Sequence, residues 1–314
     1  MPLIALKNEH SRLLFLTSLI LYLVARILQL FAGKVPSLLV VILHVIPPAL
    51  FAVIHGARIY RSRGILVSAT LCLGVGSLFE SLSLRAGFPF GHYRFTNLMG
   101  LKLFDLPVLL ALAYVGMGYL SWVLALVMLE CQSKPLSGRK VVLLPFAASF
   151  IMTVWDLSMD PVWADIDHAW IWRDGGSYYG VPISNFFGWI LTTYVFYQLF
   201  ALYVRNRVSI PSPTSHWRLA ILFYAASAAG NLLVAVPVSL GGVFVDSADK
   251  RWMIADILRA SRLVSIFILM PLALIAWVKA ARRREARFLW PFRASARRWW
   301  RLVTAIRTRS LQSS

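Results

Sequence analysis

Two aspartates stand four residues apart in the run TVWDLSMDPVW, residues 153–163, which is otherwise apolar. On a helix, Asp156 and Asp160 share one face. A carboxyl group inside a bilayer costs about 2.5–3.5 kcal/mol on insertion scales, so such residues usually serve a function. A carboxylic acid that an apolar environment keeps neutral can donate its proton. The pair therefore predicts an acid–base site, although carboxylates near a helix end could also simply reach the lipid headgroups.

Further candidates are expected at the same depth. Glu80 lies near the end of one apolar run, and Asn185 lies near the start of another. Two loops are rich in polar and aromatic residues: GFPFGHYRFTN, residues 87–97, and WIWRDGGSYYGVPISN, residues 170–185. We take Asp156, Asp160 and Glu80 as candidate catalytic acids. The candidate substrate-binding residues are Trp155, Trp163, His92, Tyr93, Arg94, Tyr178, Tyr179, Asn185 and Trp189.

Each candidate also has a simpler structural interpretation. Glu80 could pair with Arg26 or Arg85. Asn185 could act only as a helix cap after Pro182, and the tryptophans could form only an interfacial aromatic belt. The three acids, the amide and the two loops nevertheless fall at one depth, and that coincidence favours a functional site.

Acids beside aromatic rings suit the protonation of an isolated alkene in a lipid-soluble substrate. Aromatic faces stabilise a cation by about 0.5–2 kcal/mol each, and the resulting carbocation can be captured by water or by another double bond. This chemistry needs no cofactor and no metal. The six histidines show no clustered boxes for a di-iron site. The chain also has no phosphate-binding glycine loop, no dinucleotide fingerprint and no G-x-S-x-G motif.

Long apolar runs must position these residues. The chain has 314 residues, of which 59% are hydrophobic and 14% charged. An apolar run of about twenty residues crosses a bilayer as a helix. We therefore predict an all-α polytopic membrane protein, with residues 1–278 forming one integral membrane helical domain. It is a bundle of about eight transmembrane helices, over residues 13–32, 37–56, 64–84, 106–130, 141–160, 183–204, 217–240 and 254–278.

Basic residues predict the orientation of the bundle. Lys and Arg are concentrated after the second, fourth, sixth and eighth spans, and the intervening loops are neutral, mixed or acidic. Because positive loops stay in the cytoplasm, both termini are expected there. The acids and the two loops then face the extracytoplasmic side of the plasma (inner) membrane.

The C-terminal segment, residues 279–314, is predicted to be a basic, aromatic cytoplasmic tail. It holds eleven Lys or Arg against the single acid Glu285, so it supplies +10 of the formal charge of +19. Arginines interleaved with aromatic rings directly after a span typically lie on anionic lipid headgroups. We therefore expect membrane lipids and no nucleic acid as the partner of this tail, a protein partner being the alternative.

Three runs carry a resemblance to a known family. They are FGHYRFTNLMGLKLFDLPV (90–108), TVWDLSMDPVW (153–163) and GGSYYGVPISNFFGW (175–189). In this order they resemble the bacterial and archaeal membrane "carotenoid biosynthesis protein" family, whose best understood members are the carotenoid 1′,2′-hydratases. The resemblance covers roughly residues 75–200, and the arginine-rich tail departs from it. It implies a cofactor-independent hydro-lyase that adds water across the terminal double bond of an acyclic (ψ) carotenoid end group, giving a tertiary alcohol.

The residues and this reaction together suggest roles. Asp156 is the expected proton donor, and Asp160 or Glu80 would orient the water and accept its proton. Asn185 would hold an acid or the water. The rings expected to surround the cation are Tyr178, Tyr179, Trp155 and Trp163. The partners implied are a lipophilic carotenoid and, as candidates, other carotenoid enzymes.

Three other functions remain open. A carotenoid cyclase shares the protonation step but quenches the cation internally. An intramembrane prenyltransferase would use D-x-x-x-D to bind Mg²⁺ and diphosphate, but the chain lacks a second acidic motif of that kind. A carrier or sensor of lipids or carotenoids would use the acids as a proton relay without catalysis.

Overall fold

The computed structural model describes residues 2–31, 34–132, 135–207, 209–233 and 242–281. The tail from residue 282 onward and residues 234–240 of the seventh predicted span lie outside these ranges. Seven α-helices follow one another along the described chain: α1 (Pro2–Leu28), α2 (Ser37–Ala86), α3 (Val108–Met128), α4 (Lys140–Pro161), α5 (Ile183–Val204), α6 (Thr214–Leu233) and α7 (Ile254–Val264).

The described residues contain six helical segments that are long and apolar enough to cross a membrane. They are Leu13–Phe31, Ser37–Ala86, Val108–Met128, Lys140–Ile166, Ile183–Val204 and Ile254–Ala281. Two of these continue an α-helix through a π-helical turn, at Val162–Ile166 and at Ser265–Leu269. The chain is therefore a mostly helical membrane protein, as the apolar runs predict. The count of eight spans and the cytoplasmic position of both termini stay predictions.

Helix α2 is far longer than one membrane crossing requires. Its 50 residues would measure about 75 Å as a straight helix, against a hydrocarbon core of about 30 Å. The helix is interrupted at Arg61, where φ is 62° and ψ is 170°. This break falls between the predicted spans 37–56 and 64–84, in the group of arginines that separates them.

Helix α3 lies at the centre of the packing. In the most apolar stretch of α3, 72% of the residues are buried. In the corresponding stretches of the first and the last spanning segments, 28% are buried. Helix α3 packs against α2, α4 and α6. Large apolar side chains remain exposed on the outer helices, among them Leu13, Phe187 and Phe267. Such a surface suits contact with lipid tails.

Short strands join the loops at one end of the bundle. Strand β1 (Tyr93–Phe95) follows α2, and β4 (Trp170–Trp172) follows α4. They pair antiparallel, with Tyr93 opposite Trp172 and Phe95 opposite Trp170. Because alternate side chains of a strand point to the same face, all four of these rings are buried on one side, whereas Arg94 is exposed. Two further pairs are β2 (Lys102–Leu103) with β3 (Leu106–Pro107), and β5 (Val243–Val245) with β6 (Arg251–Met253).

Candidate active site

One amide connects the two aspartates of α4. Asp156 and Asp160 lie one turn apart, and both are buried. Helix α5 begins directly after Pro182, so Asn185 lies in its first turn and faces α4. The amide nitrogen Nδ2 of Asn185 donates to Oδ2 of Asp156 at 2.9 Å and to Oδ2 of Asp160 at 2.8 Å. A single neutral group therefore holds both acids at a defined separation.

Asp160 is surrounded by N–H donors. Its Oδ1 accepts the indole N–H of Trp170 at 3.1 Å and that of Trp172 at 3.2 Å. The two indoles reach the same oxygen because they lie two residues apart on β4. With Asn185, Asp160 has three donors, and both of its oxygens act as acceptors. No acceptor remains in this set to which a proton on Asp160 could be donated.

Asp156 differs from Asp160 in one decisive respect. Its relative exposure is 0%, yet its Oδ1 has no hydrogen-bond partner among the described residues. Buried polar atoms are normally paired, so an unpaired one calls for an explanation. An acid oxygen that carries a proton and faces an apolar substrate would have this appearance.

Glu80 contributes a third acid from α2. It is buried and accepts the hydroxyl of Tyr93 on Oε2 and that of Tyr114 on Oε1, the latter at 2.6 Å. Glu80 forms no ion pair with Arg26 or Arg85, so the alternative of structural pairing with these arginines does not hold. Two phenols hold this carboxyl group without supplying a counter-charge.

The three acids line one small cavity of about 30 Å³. The remaining wall is almost entirely apolar and aromatic, and it comprises Phe90, Tyr93, Phe95, Leu110, Met159, Trp170, Trp172, Asn185 and Trp189. The cavity therefore combines a potential proton donor, further acid groups and several ring faces. This set can protonate an apolar group and stabilise the resulting positive charge.

The structure brings part of the predicted binding set into this cavity. Tyr93, Asn185 and Trp189 line it together with the acids. His92 lies outside and bonds Asp174 at 3.0 Å on the surface. Arg94 is also exposed. Contact of His92 and Arg94 with a substrate stays a prediction that the geometry of the cavity does not support.

Four predicted cation-stabilising rings also lie elsewhere. Trp155 donates its indole N–H to Ser227 at 3.0 Å, and Trp163 meets His44 edge-on; both tryptophans line a neighbouring cavity. Tyr178 donates to the carbonyl oxygen of Leu157 at 3.2 Å, and burial raises the pKa of its hydroxyl to about 12. Tyr179 packs on Trp252. In the acid cavity their place is taken by Phe90, Phe95, Trp170 and Trp172.

Sequence reasoning missed Tyr114 and the role of the W-I-W run. Tyr114 stands inside an apolar span, as Glu80 does, and a hydroxyl in such a place needs a partner. Trp170 and Trp172 are two residues apart, which in a strand places both indoles on one face. The sequence therefore contains both patterns. It does not show which distant segments pair, so it does not show that these side chains meet at the acids.

Within the described residues, no group of three or more His, Cys, Asp or Glu side chains is arranged to hold a metal ion. The three acids of the cavity are instead held by amide, indole and phenol donors.

Comparison with known proteins gives one match. A family model described as "Carotenoid biosynthesis protein" matches residues 34–247. The matched region contains Glu80, Asp156, Asp160 and both loops of the site. No curated protein and no solved structure matches the chain.

Proposed function

The chain belongs to the carotenoid biosynthesis protein family, and we propose that it hydrates the terminal C=C bond of an acyclic (ψ) carotenoid end group to a tertiary alcohol. It would act as a cofactor-independent hydro-lyase. The observation that carries this proposal is the unpaired Oδ1 of the fully buried Asp156, in a cavity that also holds Asp160 and Glu80.

In the first step, Asp156 transfers a proton from Oδ1 to the less substituted carbon of the double bond. The alkene π electrons form the new C–H bond, Asp156 becomes a carboxylate, and the positive charge falls on the tertiary carbon. Phe90, Tyr93 and Trp189 line the cavity, and their ring faces would stabilise this charge. Asn185, which donates to both aspartates, would keep the new carboxylate in position.

In the second step, water attacks the tertiary cation through an oxygen lone pair. The oxonium ion then loses a proton to Glu80 or Asp160, which leaves the neutral alcohol. Return of this proton to Asp156 restores the starting state, so the cycle consumes one alkene and one water. Glu80 suits the role of base because its two phenol partners can orient it without neutralising it.

The membrane arrangement fits a substrate that is almost entirely hydrocarbon. We place the site toward the extracytoplasmic side of the plasma (inner) membrane, in a bundle of about eight spans with both termini in the cytoplasm. Only the tip of the polyene would enter the acid cavity, while its body stays among apolar helices. The basic tail would lie on anionic headgroups.

The test is expression of the full chain in a bacterium that accumulates lycopene, followed by mass analysis of the pigments. A hydratase adds one water to each modified end, and the product carries a tertiary hydroxyl group. A product of unchanged mass and altered retention would identify a cyclase instead. Pigment that copurifies unmodified would indicate a carrier, and activity lost on chelation of Mg²⁺ would favour a prenyltransferase. Any of these three outcomes would overturn the proposal.

A further inference from the structure

A second, somewhat larger cavity lies beside the acid cavity and shares the side chains of Leu110, Met159 and Trp170 with it. Most of its wall is apolar or aromatic, including Trp155 and Trp163. Polar groups also line it, namely Arg26, His44, Asn231 and Ser227. An apolar cavity with a few convergent polar groups is the usual form of a small-molecule site.

Arg26 is the charged member of this group. It lies in the last turn of α1 and is only 5% exposed. Its Nη1 donates to Nε2 of His44 at 3.1 Å, and its Nη2 donates to Oδ1 of Asn231. Within the part of the chain that the structure describes, its Nε has no hydrogen-bond partner. Because a guanidinium carries five N–H bonds, further donors remain beyond these two contacts.

Both partners of Arg26 are neutral. Nδ1 of His44 lies 2.9 Å from the carbonyl oxygen of Val40, to which it can only donate. Nε2 must then accept from Arg26, so the ring is in its uncharged form. The amide of Asn231 is oriented by donating Nδ2 to Ser158 at 3.2 Å and to Ser265 at 3.0 Å. Its oxygen therefore faces Arg26 as a neutral acceptor.

No carboxylate of the described residues forms an ion pair with Arg26. Asp167 acts on it electrostatically but forms no ion pair with it. Glu9 stands 17 residues earlier on α1, which is roughly 25 Å along the helix axis. A buried charge without an opposite charge in direct contact is unfavourable. An anionic ligand in the cavity would offset that cost.

We propose that this cavity binds an elongated apolar molecule whose head group is a carboxylate or a phosphate, with the head against Arg26 and the chain along Trp155 and Trp163. The planar guanidinium matches either anion. The site adjoins the acid cavity but none of the three acids lines it, and Arg26 precedes the region that the family model matches, residues 34–247.

The test measures binding to the purified full chain in detergent by native mass spectrometry. All-trans-retinoic acid and all-trans-retinol serve as probes, because they differ mainly in the carboxylate. We expect the acid to bind about tenfold more tightly, the factor typical of one charge-assisted hydrogen bond. Arg26→Gln should abolish this preference, and Arg26→Lys should retain part of it. Equal affinities in the wild type, or an unchanged preference in Arg26→Gln, would overturn the proposal.

Two further variants test whether the binding preference depends on Arg26 and not on the acid cavity. Gly230→Ala keeps the charge, but its new Cβ would collide with Nε of Arg26, so the preference should fall as in Arg26→Gln. Asp156→Asn leaves the Arg26 cavity unchanged and should keep the full preference for retinoic acid over retinol. This result does not depend on whether the proposed hydratase activity is found.

Competing lipids identify the source of the head group. Displacement of retinoic acid by dioleoyl phosphatidic acid, but not by dioleoyl phosphatidylcholine, would assign the site to an anionic phospholipid. Displacement by neither would assign it to an apolar carboxylate. Equal displacement by both would contradict recognition of the anionic head.

Discussion

Asp156 and Asp160 should respond in opposite ways to the same conservative substitution. Asp156→Asn keeps the size of the side chain, and Asn185 can still donate to its amide oxygen in place of Oδ2. The unpaired Oδ1 leaves room for the new NH₂ group without displacing a partner. We therefore expect the free energy of unfolding to change by less than about 1 kcal/mol. Loss of the transferable proton should lower the hydration rate by about 10²–10⁴-fold.

Asp160→Asn removes a hydrogen-bond acceptor. Asp160 accepts three N–H donors, two of them on Oδ1. An Asn side chain offers a single oxygen and places an NH₂ group against the other donors. At least one buried N–H is then left without an acceptor, which costs about 1–3 kcal/mol. The variant should therefore be clearly less stable, whatever its effect on the rate.

The assay measures rate and stability on the same preparations. Rate is the amount of hydrated pigment formed per amount of folded protein in a lycopene-accumulating host, and stability is the unfolding midpoint in detergent. Asp165→Asn is a matched control, because Asp165 is a buried acid of the adjoining π-helical turn that does not line the cavity. An Asp156→Asn variant that hydrates within tenfold of the wild type would refute the assignment of the donor. Unchanged stability in Asp160→Asn would refute the hydrogen-bond argument.

Three further predictions concern the wall of the cavity. Glu80→Gln should lower the hydration rate about 10–100-fold at unchanged pigment binding, because the amide cannot accept a proton from water; a full rate would remove Glu80 from the role of base. Trp172→Phe keeps a ring but deletes one indole donor, so denaturant unfolding should report about 1 kcal/mol less stability. Gly188→Ala would place a Cβ 2.6 Å from the ring of Phe90, and this overpacking should cost about 1–3 kcal/mol. Gly74→Ala meets nothing within 4 Å, so equal melting shifts for the two alanines would contradict the packing argument.

The acids of the site could be predicted from the sequence because a carboxyl group in a membrane span has a high free-energy cost and therefore stands out. Glu80, Asp156 and Asp160 interrupt apolar runs, and lipid tolerates such groups only where they are needed. The same reasoning identified Asn185 at the start of α5. The all-α fold class could be predicted from the length of the apolar runs, because a backbone in lipid must form its hydrogen bonds within its own segment.

The aromatic wall could not be predicted in the same way. Adjacent residues on a helix point about 100° apart, so Trp155 faces a different cavity from its neighbour Asp156. The rotation of α4 depends on its packing with other helices, which no local pattern specifies. Trp170 and Trp172 enter the site only because β4 pairs with β1, and that contact joins segments about 77 residues apart in the chain.

The hydrogen-bond donors around the three acids suit carboxyl groups that exchange protons better than carboxylates that stay charged. An arginine beside Asp156 would stabilise its carboxylate and oppose its use as a donor. The groups that hold Glu80, Asp156 and Asp160 are instead an amide, two indoles and two phenols. These neutral donors position the acids while leaving the proton free to move. The buried cation nearby, Arg26, is bound to His44 and Asn231 rather than to any of the three acids. The separation of the buried cation from the buried acids therefore supports two sites with different chemistry at one end of the bundle.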